Sequence, residues 1–353
     1  MLREIFRATR HLMELDFDLL GMTAAMPPRA SVDERMHRLR AIRDQGDLDQ
    51  IREAAVKHLN DGCNLVVAEA AKLVGHFELS GVEPALLTTW NRLIQHTDPI
   101  KADKGCTAKA AILEALGQLA YDDPDFYLAH IKYQQIEPAW PKEEDTAENV
   151  RAGCAFGLAR SKQLRIVDKL NAFVDYLMGS RADRINAIKA ITDTRHESAI
   201  PLLRLKLLSE DPEAEVVGLC MSGLLDLAPT SSIAVVASFL TNHDENVVLE
   251  AAAALGICGR PEAIKALIAC WQRTADQELQ RSLLISIGLS RDSSATSFLL
   301  TQLEANDDPE TVLEALKPAC TYQDTQDKVR LILENIGNRE LILRFERKFG
   351  RGS

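Results

Sequence analysis

Apolar residues recur at three- and four-residue spacing through most of the chain, in runs separated by short acidic or polar turns. That spacing predicts helices with one buried face. The clearest run is Asp244-Glu245-Asn246-Val247-Val248-Leu249-Glu250, followed by four alanines at 251–254 and Leu255-Gly256. Related runs begin at Asp211 (Val216, Val217, Gly223, Leu224), Asp276 (Leu279, Leu283, Ile287, Gly288) and Asp308 (Val312, Leu316), with looser copies at Asp61, Asp103, Asp145 and Asp183. Successive starts differ by 42, 42, 38, 28, 33, 32 and 32 residues, a period that suits two helices per repeat. Between them lie second amphipathic patterns: Val82 to His96, Leu164 to Met178, Ser198 to Leu208, Ser232 to Asn242, Glu262 to Arg273 and Ser294 to Ala305.

The punctuation agrees. Asp or Ser stands at or just ahead of several starts, where a side-chain oxygen accepts the first free backbone N–H groups. Pro201, Pro212, Pro261 and Pro309 fall at turns or first helical turns, where the missing N–H costs little. No convincing alternating strand is visible. The chain is expected to be all-α, an α-α superhelix of about eight helix pairs. Small residues such as those at 251–254 let one helix of each pair approach its neighbours closely. A single pair cannot cover its own apolar face, so stability must come from stacking.

Three regions follow from the same pattern. Residues 1–30 hold an amphipathic segment (Leu2, Ile5, Phe6, Leu12, Met13, Leu19, Leu20) ending near Pro27-Pro28, expected to cap the array or dock on a partner. Residues 31–322 form the repeat array, with an irregular segment at 118–145, and residues 323–353 form capping helices and a basic tail with Arg344, Arg347, Lys348 and Arg351.

Composition narrows the function classes. Of 353 residues, 46% are hydrophobic, which excludes a largely disordered chain. The formal net charge of −11 disfavours tracking of a phosphate backbone. No run approaches a membrane span, and Glu14, Asp16 and Asp18 break the N-terminal apolar stretch. The seven cysteines are odd in number and lack a Cys-x-x-Cys pair, so they read as buried reduced thiols in a cytoplasmic protein.

Chemical motifs are sparse. The segment 103–107 (Asp-Lys-Gly-Cys-Thr) lacks the glycine cradle and preceding strand of a phosphate loop, and 218–223 is not a serine nucleophile elbow. Cys106, near Lys104 and Lys109, is the thiol whose neighbours most favour thiolate. The eight histidines are scattered. The most individual stretch is 102–151, where Tyr133, Gln135, Trp140 and Arg151 lie in a long, aromatic-rich connection. Such a connection invites either a recognition patch or cover for a widened gap between repeats.

From about Asp61 to Lys317, and arguably from Ser31, the helix pairs and their small-residue helices resemble the HEAT-repeat superfamily, in particular the bacterial repeats also seen in phycobilisome lyases. The resemblance implies a curved, right-handed stack whose inner helices line a concave groove. It implies function only weakly. The leading expectation is a non-enzymatic scaffold that binds another protein, without a cofactor, through outward residues of the inner helices: Lys109, Arg151, Glu250 and Arg281, with Tyr133, Gln135 and Trp140 beside them. The alternative is a lyase-like or chaperone-like component holding a tetrapyrrole between aromatic walls near Tyr133 and Trp140. A third reading, a helical-repeat DNA-lesion binder, needs a continuous basic groove. The HEAT-like deoxyhypusine hydroxylases hold two irons with several His-Glu dipeptides; here only His196-Glu197 occurs, which argues against that activity.

Overall fold

The computed structural model describes residues 30–305 and 308–349; the amphipathic segment expected over residues 1–30 therefore lies almost wholly outside the described residues. Helices α1 (Val32–Gln45) and α2 (Leu48–Leu59) lead into eight helix pairs. The first helices of the pairs are α3 (Asn64–His76), α6 (Thr107–Gln118), α8 (Glu148–Arg160), α10 (Arg181–Asp193), α12 (Ala214–Leu227), α14 (Glu245–Cys258), α16 (Gln277–Leu289) and α18 (Pro309–Leu316). Their respective partners are α4 (Glu83–Ile94), α7 (Pro124–His130), α9 (Ile166–Leu177), α11 (Ala199–Leu207), α13 (Pro229–Ser238), α15 (Pro261–Arg273), α17 (Ser293–Ala305) and α19 (Gln323–Ile336). A short helix α5 (Pro99–Ala102) precedes α6, and α20 (Arg339–Phe349) follows α19. The fold is an all-α solenoid.

The starts come from local chemistry. Asp47, Asp98, Asp123, Asp244, Asp276 and Asp308 each accept a backbone N–H in the first turn of the helix they precede. Ser31 and Ser180 close reciprocal capping boxes with Glu34 and Asp183. Asp183 thus stands inside the first turn of α10, not in the turn ahead of it. Counted from helix starts at 148, 181, 214, 245, 277 and 309, the repeat is 33, 33, 31, 32 and 32 residues, so the uneven offsets around Asp183 in the sequence reflect a shifted marker rather than a shifted helix.

The first helices pack on one another along the stack, from α3 on α6 through to α16 on α18. Gly256 and Gly288 set the closeness of that row: a Cβ at Gly256 would lie 2.1 Å from the Ser286 carbonyl oxygen, and one at Gly288 2.0 Å from that of Ala315. The second row is spaced by large side chains, with Trp90 of α4 edge-on to Phe126 of α7 at 5.4 Å and Trp271 of α15 edge-on to Phe298 of α17 at 5.4 Å. A stack closer-set on one row than on the other bends toward the close row. The first helices accordingly form the inner face. One continuous core of buried apolar side chains runs from Leu39 to Phe345.

The connection between α7 and α8 departs from the repeat. It contains a two-rung antiparallel ribbon, β1 (Ile136–Glu137) on β2 (Glu144–Asp145), with Ile136 opposite Asp145 and Glu137 opposite Glu144. The ribbon was not expected from the sequence, and two rungs carry no readable alternation. Its turn includes a cis Trp140–Pro141 bond. No described helix is long and apolar enough to cross a membrane.

Candidate functional site

Two features stand out: a buried polar network beneath the ribbon and an open groove along the inner row. The network begins at Asp103. The chain turns through Gly105 and Cys106, both at positive φ (69° and 51°), before entering α6. That turn lets the Asp103 carboxylate accept the N–H groups of Ala108 and Lys109, each at 2.9 Å, and the side-chain amide of Asn64 at 3.0 Å. The Lys109 ammonium lies 3.4 Å from Asp103, donates to Gln135 Oε1 at 2.9 Å, and sits over the Tyr133 ring. Gln135 Nε2 in turn donates to the Asp103 carbonyl (2.8 Å) and to Glu137 (2.7 Å), while Tyr133 OH donates to Gln135 Oε1.

Arg151 completes the set. Its guanidinium reaches Asp183 Oδ1 at 2.8 Å, Asp145 Oδ2 at 2.7 Å and the Tyr133 carbonyl at 2.9 Å. Burial opposes ionisation of Glu137, but hydrogen bonds from Gln135, Gly105 and Thr146 outweigh it and hold its carboxyl below the usual value. Asp145 is likewise lowered against its burial, by the N–H groups of Gln135 and Ala147 and by Arg151. Burial pushes the Tyr133 hydroxyl up to about 12 and raises the Cys106 thiol despite Lys109 nearby. Cys106 is therefore held as a protonated core thiol and not as the thiolate its lysine neighbours suggested.

The expected outward direction of Lys109 and Arg151 is thus corrected. Lys109, Gln135 and Arg151 are buried, because Asp103, Asp145 and Asp183 compensate their charge and hydrogen-bonding groups inside the protein. Tyr133 is half-buried beside them, and Trp140 stands 95% exposed at the ribbon's turn. Neither aromatic lines the inner groove, so they do not form the aromatic walls that tetrapyrrole holding called for. Glu250 is half-buried on α14, its carboxylate against Gly218 of α12, with burial and then Glu215 raising its pKa. Arg281 is exposed and pairs with Asp308 at 2.7 Å and Glu278 at 2.7 Å. The seven candidates form no common site: four gather in the network, Trp140 stands apart on the ribbon, and two lie along the later helices.

The open feature lies elsewhere. Two adjoining depressions, of about 800 Å³ and 620 Å³, run along the inner helices from α3 to α14 and share Phe156 and Arg160 as the ridge between them. The Arg160 guanidinium rests over the Phe156 ring and pairs with Asp193 of the next helix at 2.7 Å. Arg195 repeats this with Asp226 at 2.5 Å. Sequence reasoning missed these residues. A signal existed: Lys72, Glu114 and Phe156 are spaced by 42 residues, and Phe156, Lys189 and Ser222 by 33, so one surface position recurs on five inner helices.

Among the described residues, no group of three or more His, Cys, Asp or Glu side chains converges as a metal site. His196 and Glu197 lie in the turn ahead of α11, where His196 Nδ1 accepts the Ser198 N–H at 3.1 Å.

The class of protein follows from these helix pairs and from one comparison. Residues 204–288, from the end of α11 through α12, α13, α14 and α15 to all but the last residue of α16, match the family described as HEAT repeats. HEAT repeats thus occupy residues 204–288, and the pairs on either side repeat the same two-helix arrangement. Among solved structures, it is similar to an engineered protein from the Northeast Structural Genomics Consortium, at 18% identity and a TM-score of 0.36 over 91% of this chain and 95% of that one. It is also similar to the complex of CpcE and CpcF of phycocyanin lyase from Nostoc sp. PCC7120, at 15% identity and a TM-score of 0.36 over 80% of this chain and 94% of that one. No curated protein matches the sequence significantly.

Proposed function

We propose that the chain is a protein-binding scaffold and that its inner groove is the binding face. The observation that carries this reading is the continuity of the two depressions across successive inner helices, with apolar Phe156, Leu219 and Ile257 beside charged Lys72, Lys189 and Arg260. Ile257 is 71% exposed there, more than Leu65 (50%) or Leu289 (40%) of the same row. A long, shallow surface of mixed character suits an extended polypeptide better than a small molecule, which favours a deeper and more enclosed site. The buried network belongs to this function indirectly: it fixes α6, α8 and α10, whose outward faces line the groove. A reducing, cytoplasmic setting suits the seven thiols, five of them buried.

The test is partner retention by variants of the groove. Phe156→Asp with Ile257→Asp is expected to release proteins that the native chain retains, while Leu205→Asp, at an exposed position of α11 in the outer row, leaves retention unchanged. Equal retention by all three proteins contradicts the reading.

A further inference from the structure

We infer that the inner groove takes an acidic polypeptide segment that also carries apolar anchors, an inference that rests on the scaffold reading above. The chain is acidic as a whole, with a formal net charge of −11. Its groove is the reverse. The two depressions are lined by six cationic side chains against four carboxylates. Two of those carboxylates, Asp193 and Asp226, are already neutralised by Arg160 and Arg195. A third, Asp122, accepts the Lys162 backbone N–H at 2.9 Å. By contrast, Lys72, Lys162, Lys189 and Arg260 are all exposed and have no carboxylate within ion-pair distance among the described residues.

A positive strip on a negative protein concentrates field lines where a partner of opposite charge docks. The apolar residues set the other half of the requirement. Phe156 separates the two depressions and Ile257 lies in the second, so an occupant following the groove meets apolar surface between cationic positions. A segment with alternating acidic and apolar residues meets both. A nucleic-acid strand, whose backbone carries charge without apolar side chains, meets only the first.

The experiment measures binding of three fluorescent probes to the full chain by anisotropy. They are a 16-residue peptide of glutamates interspersed with leucines, its counterpart with lysine for every glutamate, and a 16-nucleotide single-stranded DNA. Two variants accompany the native protein: the charge-reversed Lys72→Glu/Lys189→Glu/Arg260→Glu, and Phe156→Ser, each checked for native circular dichroism. The inference expects the glutamate peptide to bind at least tenfold more tightly than the lysine peptide and the DNA, to weaken as salt rises, and to lose that preference on charge reversal. Equal binding of both peptides, preference for the lysine peptide, or tighter binding of DNA overturns it. If both peptides bind equally and Phe156→Ser weakens both, only the charge inference fails and the scaffold reading stands. If binding is absent, or indifferent to both variants, the groove is not a binding face and both fail.

Discussion

Arg151 and Asp183 join two successive inner helices through a 2.8 Å bond from Nε to Oδ1, and the same guanidinium ties the Tyr133 carbonyl and Asp145 to them. One side chain thereby fastens the irregular connection to the regular stack. Similar pairs link other repeats: Arg35 with Asp61 at 2.6 Å, Arg184 with Asp211 at 2.9 Å and Arg281 with Asp308 at 2.7 Å. Arg151 differs in being buried with three acceptors.

Removing it strands two carboxylates in a desolvated place. Arg151→Ala is expected to lower the unfolding free energy by about 3–5 kcal/mol, the usual range for breaking a buried ion pair from one side. Arg281→Ala, on the exposed surface, is expected to cost under about 1 kcal/mol. Urea titration of both variants checks the contrast.

Acid should weaken the same region. Glu137 and Asp145 have folded-state pKa values lowered from ordinary values of 4.5 and 3.8. Their contribution is therefore fully present above those ordinary values and is lost as pH falls through the lower folded ones. Thermal melts are expected to show a falling Tm below about pH 5. A Glu137→Gln/Asp145→Asn variant is expected to show a shallower fall; an unchanged slope would locate the acid sensitivity elsewhere.

The inner row has no room at its glycines. Gly256→Ala and Gly288→Ala would each place a Cβ about 2 Å from a backbone carbonyl oxygen of the next helix. Each is expected to destabilise by about 1–3 kcal/mol as the helices move apart. Gly117→Ala meets nothing within 4 Å and is expected to stabilise by up to about 1 kcal/mol. Denaturation midpoints of the three variants distinguish tight inner packing from a loose row.

The thiols should report burial in the native state. Cys63 and Cys258 are half-buried, and the other five are buried, with Cys220 pushed by its burial to about 12 and Cys320 to about 11. Titration with a thiol reagent at neutral pH is expected to modify Cys63 and Cys258 first and to leave Cys106 unreacted until unfolding. Rapid labelling of Cys106 would contradict its place beneath the ribbon.

The helix pairs were legible because burial of one helical face imposes a spacing that survives any choice among Ala, Val, Leu and Ile. Turn residues such as Asp244 and Asp276 were legible as well, since capping needs an oxygen at that point. Lys109 and Arg151 were misread because polar residues ordinarily face water; the counter-signal was an aspartate six residues earlier in each case, at Asp103 and Asp145. The ribbon was illegible because side-chain hydrogen bonds from Gln135, Thr146 and Arg151 hold it rather than a strand pattern. Groove residues such as Phe156 and Lys189 carry no amphipathic signature of their own, and only alignment of the repeats exposes their shared position.

The most direct test places a photo-cross-linking benzophenone amino acid in the full chain at Ser222, in the groove wall, and separately at Leu205 on the outer row, in the protein's native cells. The account expects covalent adducts with a polypeptide at Ser222 and none above background at Leu205. Adducts of equal yield at both positions, or at Leu205 alone, would contradict the inner face as the binding surface.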